Sequence, residues 1–273
     1  MTINCKGSLI DLSSPKVMGI LNVTPDSFYD GGKYKDDRDF LNQTERMLNE
    51  GATFIDIGAY SSRPGAQHIS EEEELQRIVP VIQLLIKEFP NVLISVDTFR
   101  STVANETIGT GASIINDIFG GTMDAQMFST VAQLKVPYIL MHMKGTPQNM
   151  QQHPSYGNVT TELISFFAKQ IFKLRQLQLK DVIIDVGFGF GKTIEHNYQL
   201  LKELKHFESL NVPILTGISR KSMLYKPLNS TAKEALNATT SANTIALLNG
   251  ANILRVHDVK EAIEAVKIVS LLS

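Results

Sequence analysis

Phe54-Ile55-Asp56-Ile57-Gly58 and Ile94-Ser95-Val96-Asp97 are two short apolar runs, and between them Leu75, Ile78, Val79, Ile82, Leu85 and Ile86 recur at helical spacing. Strand, helix and strand in that order form the unit from which parallel sheets are built. Neither run alternates strictly between apolar and polar residues, which fits strands buried on both faces. Ser70, three residues before Glu73, is placed to open the intervening helix with a capping box, and Pro80 is expected to kink it.

The same unit recurs on either side. Further runs end in Gly19-Ile20-Leu21-Asn22, Ile114-Ile115-Asn116-Asp117, Ile139-Leu140-Met141-His142, Ile183-Ile184-Asp185-Val186-Gly187, Ile214-Leu215-Thr216-Gly217 and Ile253-Leu254-Arg255-Val256-His257. Residues 159–177, 232–248 and 259–269 supply amphipathic helices, the first marked by Leu163, Phe166, Phe167, Ile171 and Leu174. Eight such units predict an α/β fold, a single (β/α)8 TIM barrel whose one domain spans residues 1–273, close to the roughly 250 residues usual for this architecture. Residues 2–10 read as a short hairpin around Lys6-Gly7 that plugs the end of the barrel away from the site. Parallel strands closed on themselves bring all their polar endings to one rim, where such barrels do chemistry.

Composition narrows the function. A net charge of -2 argues against nucleic-acid binding through bulk positive charge. Cys5 is the only cysteine, which excludes an intrachain disulfide and a cysteine zinc site. The amino terminus lacks a basic region followed by an apolar core, and no apolar run approaches the length of about 18 residues that marks a spanning helix. The expectation is a cytoplasmic enzyme with small-molecule partners, without nucleic acid or membrane.

The connections after the strands carry the chemistry. Asn22 ends a strand beside the hydroxyl of Thr24 and the carboxylate of Asp26, a set of hard oxygens suited to a phosphate-bound Mg²⁺ in a mobile loop. Ser61-Ser62-Arg63-Pro64-Gly65 places a guanidinium fork beside two hydroxyls, and such forks suit phosphate. Gly187-Phe188-Gly189-Phe190-Gly191-Lys192-Thr193 resembles a nucleotide phosphate loop but has Val186 where that loop needs its first glycine. It is read instead as a tight turn that lets backbone approach a ligand and leaves Phe190 to cover an aromatic one. Ser219-Arg220-Lys221-Ser222 adds cations, and Arg255 and His257, two apart on a strand, address one point. They are placed either to bind an anion or to pair with barrel carboxylates as rim residues. Asp97, Asn116 and Asp185 point into the mouth and need partners, either internal cations or the N–H groups of a ligand such as an aminopyrimidinone ring. His68, His153, His196 and His206 lack metal-ligand spacing and are given no chemistry.

These stretches, together with Met18–Phe28, Ser61-Ser62-Arg63-Pro64-Gly65-Ala66 and Leu140-Met141-His142-Met143, closely resemble the dihydropteroate synthase family over nearly the whole chain. The resemblance implies condensation of 6-hydroxymethyl-7,8-dihydropterin diphosphate with 4-aminobenzoate, giving 7,8-dihydropteroate and pyrophosphate for folate synthesis. It further implies that Asp97, Asn116, Asp185 and Lys221 hold the pterin with Met141 on its face, and that Asn22 ligates Mg²⁺. Ser62, Arg63, Arg255 and His257 would take the diphosphate, Ser222 would meet the aminobenzoate carboxylate, and Phe28, Pro64, Phe190 and Lys221 would wall that ring. Asp97, Lys221 and Arg63 are the expected catalytic residues, and a homodimer using an apolar patch on the last helices is the expected assembly. Gly58-Ala59-Tyr60-Ser61-Ser62 departs from the common Gly-Gly-Glu-Ser-Thr of the family, and Tyr29 replaces a small residue. A pterin-dependent methyltransferase and an inert pterin-binding module are the alternatives; the first has no diphosphate to hold and leaves Arg63, Lys221, Arg255 and His257 without a purpose. Arg255→Ala and Lys221→Ala are both expected to impair turnover far more than folding.

Overall fold

The structure is a computed structural model and describes residues 1–23, 37–61, 68–146, 150 and 154–272. It opens with an antiparallel hairpin of β1 (Thr2–Cys5) and β2 (Ser8–Asp11), turned at Lys6 and Gly7, both with positive φ. Eight parallel strands follow: β3 (Lys16–Asn22), β4 (Phe54–Gly58), β5 (Ile94–Asp97), β6 (Ile114–Asp117), β7 (Tyr138–Met141), β8 (Val182–Asp185), β9 (Ile214–Thr216) and β10 (Ile253–Val256). They pair in chain order and β10 returns to β3, closing the barrel. The expected TIM barrel and its amino-terminal hairpin are both present.

Helices separate the strands: α1 (Asp37–Asn49), α2 (Glu71–Glu88), α3 (Ser101–Thr110), α4 (Met127–Leu134), α5 (Val159–Gln176), α6 (Ile194–Lys202), α7 (Ser222–Tyr225), α8 (Leu236–Leu248) and α9 (Val259–Ser270). Ser70 caps α2, its side chain accepting from the Glu73 N–H at 3.1 Å. The capping box is half made, since the Glu73 carboxylate pairs with Arg77 one turn on. Pro80 lies inside α2, which continues unbroken to Glu88. Ile78, Ile82 and Leu85 on its inner face are fully buried, each worth about 1.5–3 kcal/mol of transfer free energy. The helix expected over 232–248 is divided. Thr231 and Glu234 cap one another around a 3-10 turn at Ala232–Glu234, and α8 starts only at Leu236.

Side chains along a strand alternate between faces, and here the alternation sorts stability from chemistry. Val17, Leu21, Ile55, Ile57, Val96, Ile115, Leu140, Ile184, Leu254 and Val256 face outward into the large core shared with the helices. Met18, Phe54, Ile114, Ile139, Ile183, Leu215 and Ile253 face inward and pack with Ile3, Cys5 and Leu12 of the amino-terminal segment. That apolar floor is where the hairpin plugs the barrel. Two residues further along the same inward rows stand Asp56, Asn116, Met141, Asp185 and Arg255, at the carboxyl-terminal mouth.

Candidate active site

At the centre of the mouth is an ion-pair network. Arg255 donates from Nε to Asp56 Oδ2 at 2.7 Å and from Nη2 to Asp97 Oδ2 at 3.2 Å. Asn116 joins it, its Nδ2 lying 3.2 Å from Asp56 Oδ2. Asp56 is fully buried, and a carboxylate taken out of water needs such partners. Burial pushes the Asp97 carboxyl up to about 7; the Arg255 charge opposes this rise and Asp56 adds to it. Burial works against the Arg255 charge, but Asp56 and Asp97 outweigh it and hold the guanidinium above its ordinary value. Of the two roles left open for Arg255, carboxylate pairing is therefore present. Sequence reasoning makes Arg255 a rim charge whose loss impairs turnover far more than folding; its guanidinium in fact neutralises a fully buried carboxylate, so a cost in folding is expected as well.

The facing side is built from β8 and β9. Asp185 is buried, with Oδ1 accepting from the Gly187 N–H at 2.8 Å. Burial raises its carboxyl, while Lys221 pulls in the opposite direction. Lys221 donates to the Phe188 carbonyl, and its Nζ sits 4.5 Å from the centre of the Phe190 ring. Burial lowers this ammonium to about 8, against the pull of Asp185. Gly217 marks the convergence of these groups. A Cβ at this position would lie 3.7 Å from Asp185 Oδ2 and 4.0 Å from both Arg255 Cδ and Lys221 Nζ.

Neighbouring loops fix this arrangement. Arg220, held at a φ of 55°, forks onto Asp258 through Nε at 2.9 Å and Nη2 at 2.8 Å, tying the segment after β9 to the segment after β10. The His257 N–H donates to Ser219 Oγ at 3.3 Å across the same seam, which places the half-buried His257 beside the lysine loop. Ser222 opens α7, with Lys221 at its N-cap. Asn22 ends β3 in register with Gly58, beside the Asp97 strand. Phe99, Ile118, Phe119 and Met141 form an apolar wall joined by Tyr60, Met143 and Phe190. Ser62, Arg63, Phe28, Pro64, Thr24, Asp26 and Tyr29 lie outside the described residues.

The mouth thus brings together Asp97, Asn116, Asp185, Lys221 and Arg255, with Met141 and Phe190 on its apolar side. Sequence reasoning passed over Asp56, which sits inside an apolar run and not at its end. Its signal was parity: it stands two residues above inward-facing Phe54, as Asn116 does above Ile114 and Asp185 above Ile183. Asp117, by contrast, turns away from the mouth and accepts from Phe119 N, Gly121 N and the Tyr138 hydroxyl, all within 2.8 Å.

Known proteins share this architecture. The pterin binding enzyme family matches residues 18–257. The chain is 44% identical over 271 residues to the dihydropteroate synthase of Escherichia coli strain K12, covering 98% of this chain and 95% of that one. It belongs to the dihydropteroate synthase family. A Yersinia pestis dihydropteroate synthase solved as a sulfonamide drug complex superposes with a TM-score of 0.94 at 43% identity, covering 100% of this chain and 99% of that one. The Xanthomonas albilineans dihydropteroate synthase with 4-aminobenzoic acid gives 0.92 at 36% identity, covering 99% and 97%. The family activity follows for this chain: it is a transferase of folate biosynthesis that makes dihydropteroate.

Against the common dihydropteroate synthase pattern, the departure at Tyr60 is tied into the scaffold. Tyr60 Oη lies 3.2 Å from His68 Nδ1, and Arg100 Nη2 lies 3.4 Å from His68 Nε2. Arginine only donates, so Nε2 accepts and Nδ1 carries the ring proton toward the phenol oxygen. Arg100 also meets fully buried Glu74 at 2.5 Å and the Ile69 carbonyl at 2.6 Å, while the Tyr60 ring packs edge-on against Phe99 at 5.1 Å. The residues flanking the second loop are thereby anchored to α2 and to the segment before α3. Among the described residues, no helix is long and apolar enough to cross a membrane.

Proposed function

We propose that the mouth condenses 6-hydroxymethyl-7,8-dihydropterin diphosphate with 4-aminobenzoate. The observation that supports this most strongly is the convergence of Asp185, Lys221 and Arg255 around Gly217, with the Asp97 and Asn116 polar groups beside them. The carboxylates of Asp97 and Asp185 accept from pterin N–H groups, Asn116 both donates and accepts, and Met141 packs on the ring face. Arg255 and His257, with Ser62 and Arg63, hold the diphosphate. As pyrophosphate departs, positive charge grows on the pterin methylene. A fixed Asp97 carboxylate stabilises that charge without reorganising. The aniline nitrogen is neutral near pH 7 and attacks without a general base; Phe28, Pro64, Phe190 and Lys221 wall its ring, and Ser222 meets its carboxylate.

Mg²⁺ belongs to this proposal through Asn22. Among the described residues, no group of three or more His, Cys, Asp or Glu is arranged to hold a metal ion. A single neutral amide oxygen at the rim fits an ion held chiefly by the substrate's diphosphate and water. When bound, the ion would neutralise charge on the departing pyrophosphate. The test is pyrophosphate release from the pterin diphosphate. Release that requires Mg²⁺ and accelerates with 4-aminobenzoate is expected; binding of the pterin without turnover would sink the proposal. The working form is proposed to be a cytoplasmic homodimer joined through α8 and α9, where Ile245, Leu248 and Ile268 are exposed. A sedimentation mass near twice the 30.3 kDa chain is the expected result, and a monomer at assay concentration would refute it.

A further inference from the structure

Lys192 is a buried cation for which the reaction just described has no use. It is 3% exposed, and its Nζ lies 2.9 Å from the Gly187 carbonyl, 2.9 Å from the Phe190 carbonyl, 3.2 Å from the His142 carbonyl and 3.3 Å from His142 Nδ1. These acceptors come from the ends of two adjacent strands, β7 and β8. An ammonium has three protons for these four acceptors, and the carbonyls are the nearer ones; a proton shared with His142 Nδ1 requires that nitrogen bare and the ring proton on Nε2. Burial, followed by the Lys192 charge, drives His142 down to about 3, which keeps the ring neutral. Burial lowers Lys192 itself to about 7, opposed by the Asp185 charge.

The backbone around this ammonium has an unusual shape. Gly187, Gly189 and Gly191 all have positive φ, between 62° and 83°. Two of them allow backbone contact that no side chain would permit: a Cβ on Gly187 would meet the His142 carbonyl oxygen at 2.1 Å, and one on Gly191 the Lys144 carbonyl at 2.3 Å. The loop turns its Gly187 and Phe190 carbonyls inward onto Lys192. Its opposite side carries what the mouth uses. The Phe188 carbonyl accepts from Lys221, the Phe190 ring faces the same ammonium, and the Gly187 N–H reaches Asp185.

We propose that Lys192 is a positioning residue: by gathering the carbonyls of His142, Gly187 and Phe190 it holds the β8 loop in the one shape that presents Phe190 and Lys221 to the second substrate. This inference rests on the assignment of the mouth as the condensation site. Lys192 touches no reacting atom and acts through the loop.

A double-mutant cycle tests it. Lys192→Met keeps the length and apolar stem of the side chain but removes every donor, and Lys192→Gln restores one amide donor group. In folded enzyme, Lys192→Met should lower kcat/KM for 4-aminobenzoate by about 10- to 100-fold, the effect of an ångström-scale misplacement, with Lys192→Gln in between. Phe190→Ala should lower it as well, and the double variant should be no worse than the poorer single variant. Hydrogen exchange of the amides in residues 186–191 and 221–224 should speed up in both Lys192 variants, with the rest of the barrel unchanged. If the kinetic losses multiply, or if the folded fraction keeps wild-type constants while only Tm falls, the proposal fails. Should Lys192→Met not fold, Lys192→Gln is read in the same cycle. A wild-type chain that makes no product would overturn the functional reading alone, because exchange reports the Lys192 contacts without turnover.

Discussion

Arg255→Ala is expected to lose about 3–5 kcal/mol of unfolding free energy together with its turnover, the loss usual when one partner of a buried ion pair is removed. The substitution removes the guanidinium that bridges fully buried Asp56 and nearly buried Asp97, leaving Asp56 the Asn116 amide as a partner. Domains of this kind are typically stable by roughly 5–15 kcal/mol, so a large fraction is at stake. The pH dependence has a definite sign. The Asp97 carboxyl already lies above its ordinary 3.8, at about 7, and losing the Arg255 charge raises it further. A folded state that binds protons more tightly than the unfolded chain loses stability as pH rises, so the deficit against wild type should deepen through and beyond about pH 7. Urea unfolding at pH 6 and at pH 8.5 measures this. A deficit independent of pH would show that the carboxylates do not depend on Arg255. Lys221→Ala is the milder case: its ammonium meets a carbonyl and an aromatic face and acts on buried Asp185 through its charge, while Asp185 keeps the Gly187 N–H, so activity should fall far more than stability.

The second large effect is expected at Asp97. Replacing it by asparagine keeps the size and removes the charge proposed to face the developing methylene cation, and turnover should fall about 100- to 1,000-fold. The pH profile separates this role from simple contact. Below about 7 the Asp97 carboxyl takes up a proton and its charge is lost, whereas above about 8 the Lys221 ammonium is lost. Wild-type kcat/KM should therefore peak in a narrow window between these values. In Asp97→Asn the acid limb should vanish and the alkaline limb remain. Titration of the substrate is common to both enzymes and cancels in the comparison. An acid limb of unchanged position in the variant would remove Asp97 from the mechanism.

The strands were legible in the sequence because each is a short β-branched run closed by a polar residue or glycine, and the run that ends at Asp97 coincides with β5 to the residue. Asp97, Asn116 and Asp185 could be singled out for the same reason, as polar groups at or beside a strand end. Asp56 could not, since an acid enclosed by Ile55 and Ile57 resembles an interruption of a strand and its meaning depends on Arg255, 199 residues away. Lys192 posed the same difficulty: its glycine-rich surroundings are visible locally, but the His142 it binds lies 50 residues earlier. The turn at Ala232–Glu234 was missed because its apolar spacing continues the helical pattern of α8, while the mutual capping of Thr231 and Glu234 ends the turn first.

The apolar floor implies where adaptation can arise in this enzyme. Ile114 and Asn116, Ile183 and Asp185, and Ile253 and Arg255 each stand one pleat apart, about 6.5–7 Å along the same strand. Close-packed interiors transmit a change of volume instead of absorbing it. A methylene gained or lost at Ile183, or at Ile3 of the hairpin beneath it, would therefore be passed on to the polar groups one pleat above. Selection for altered ligand discrimination can act on the sealed end of the barrel, leaving every group that meets the ligand unchanged in identity.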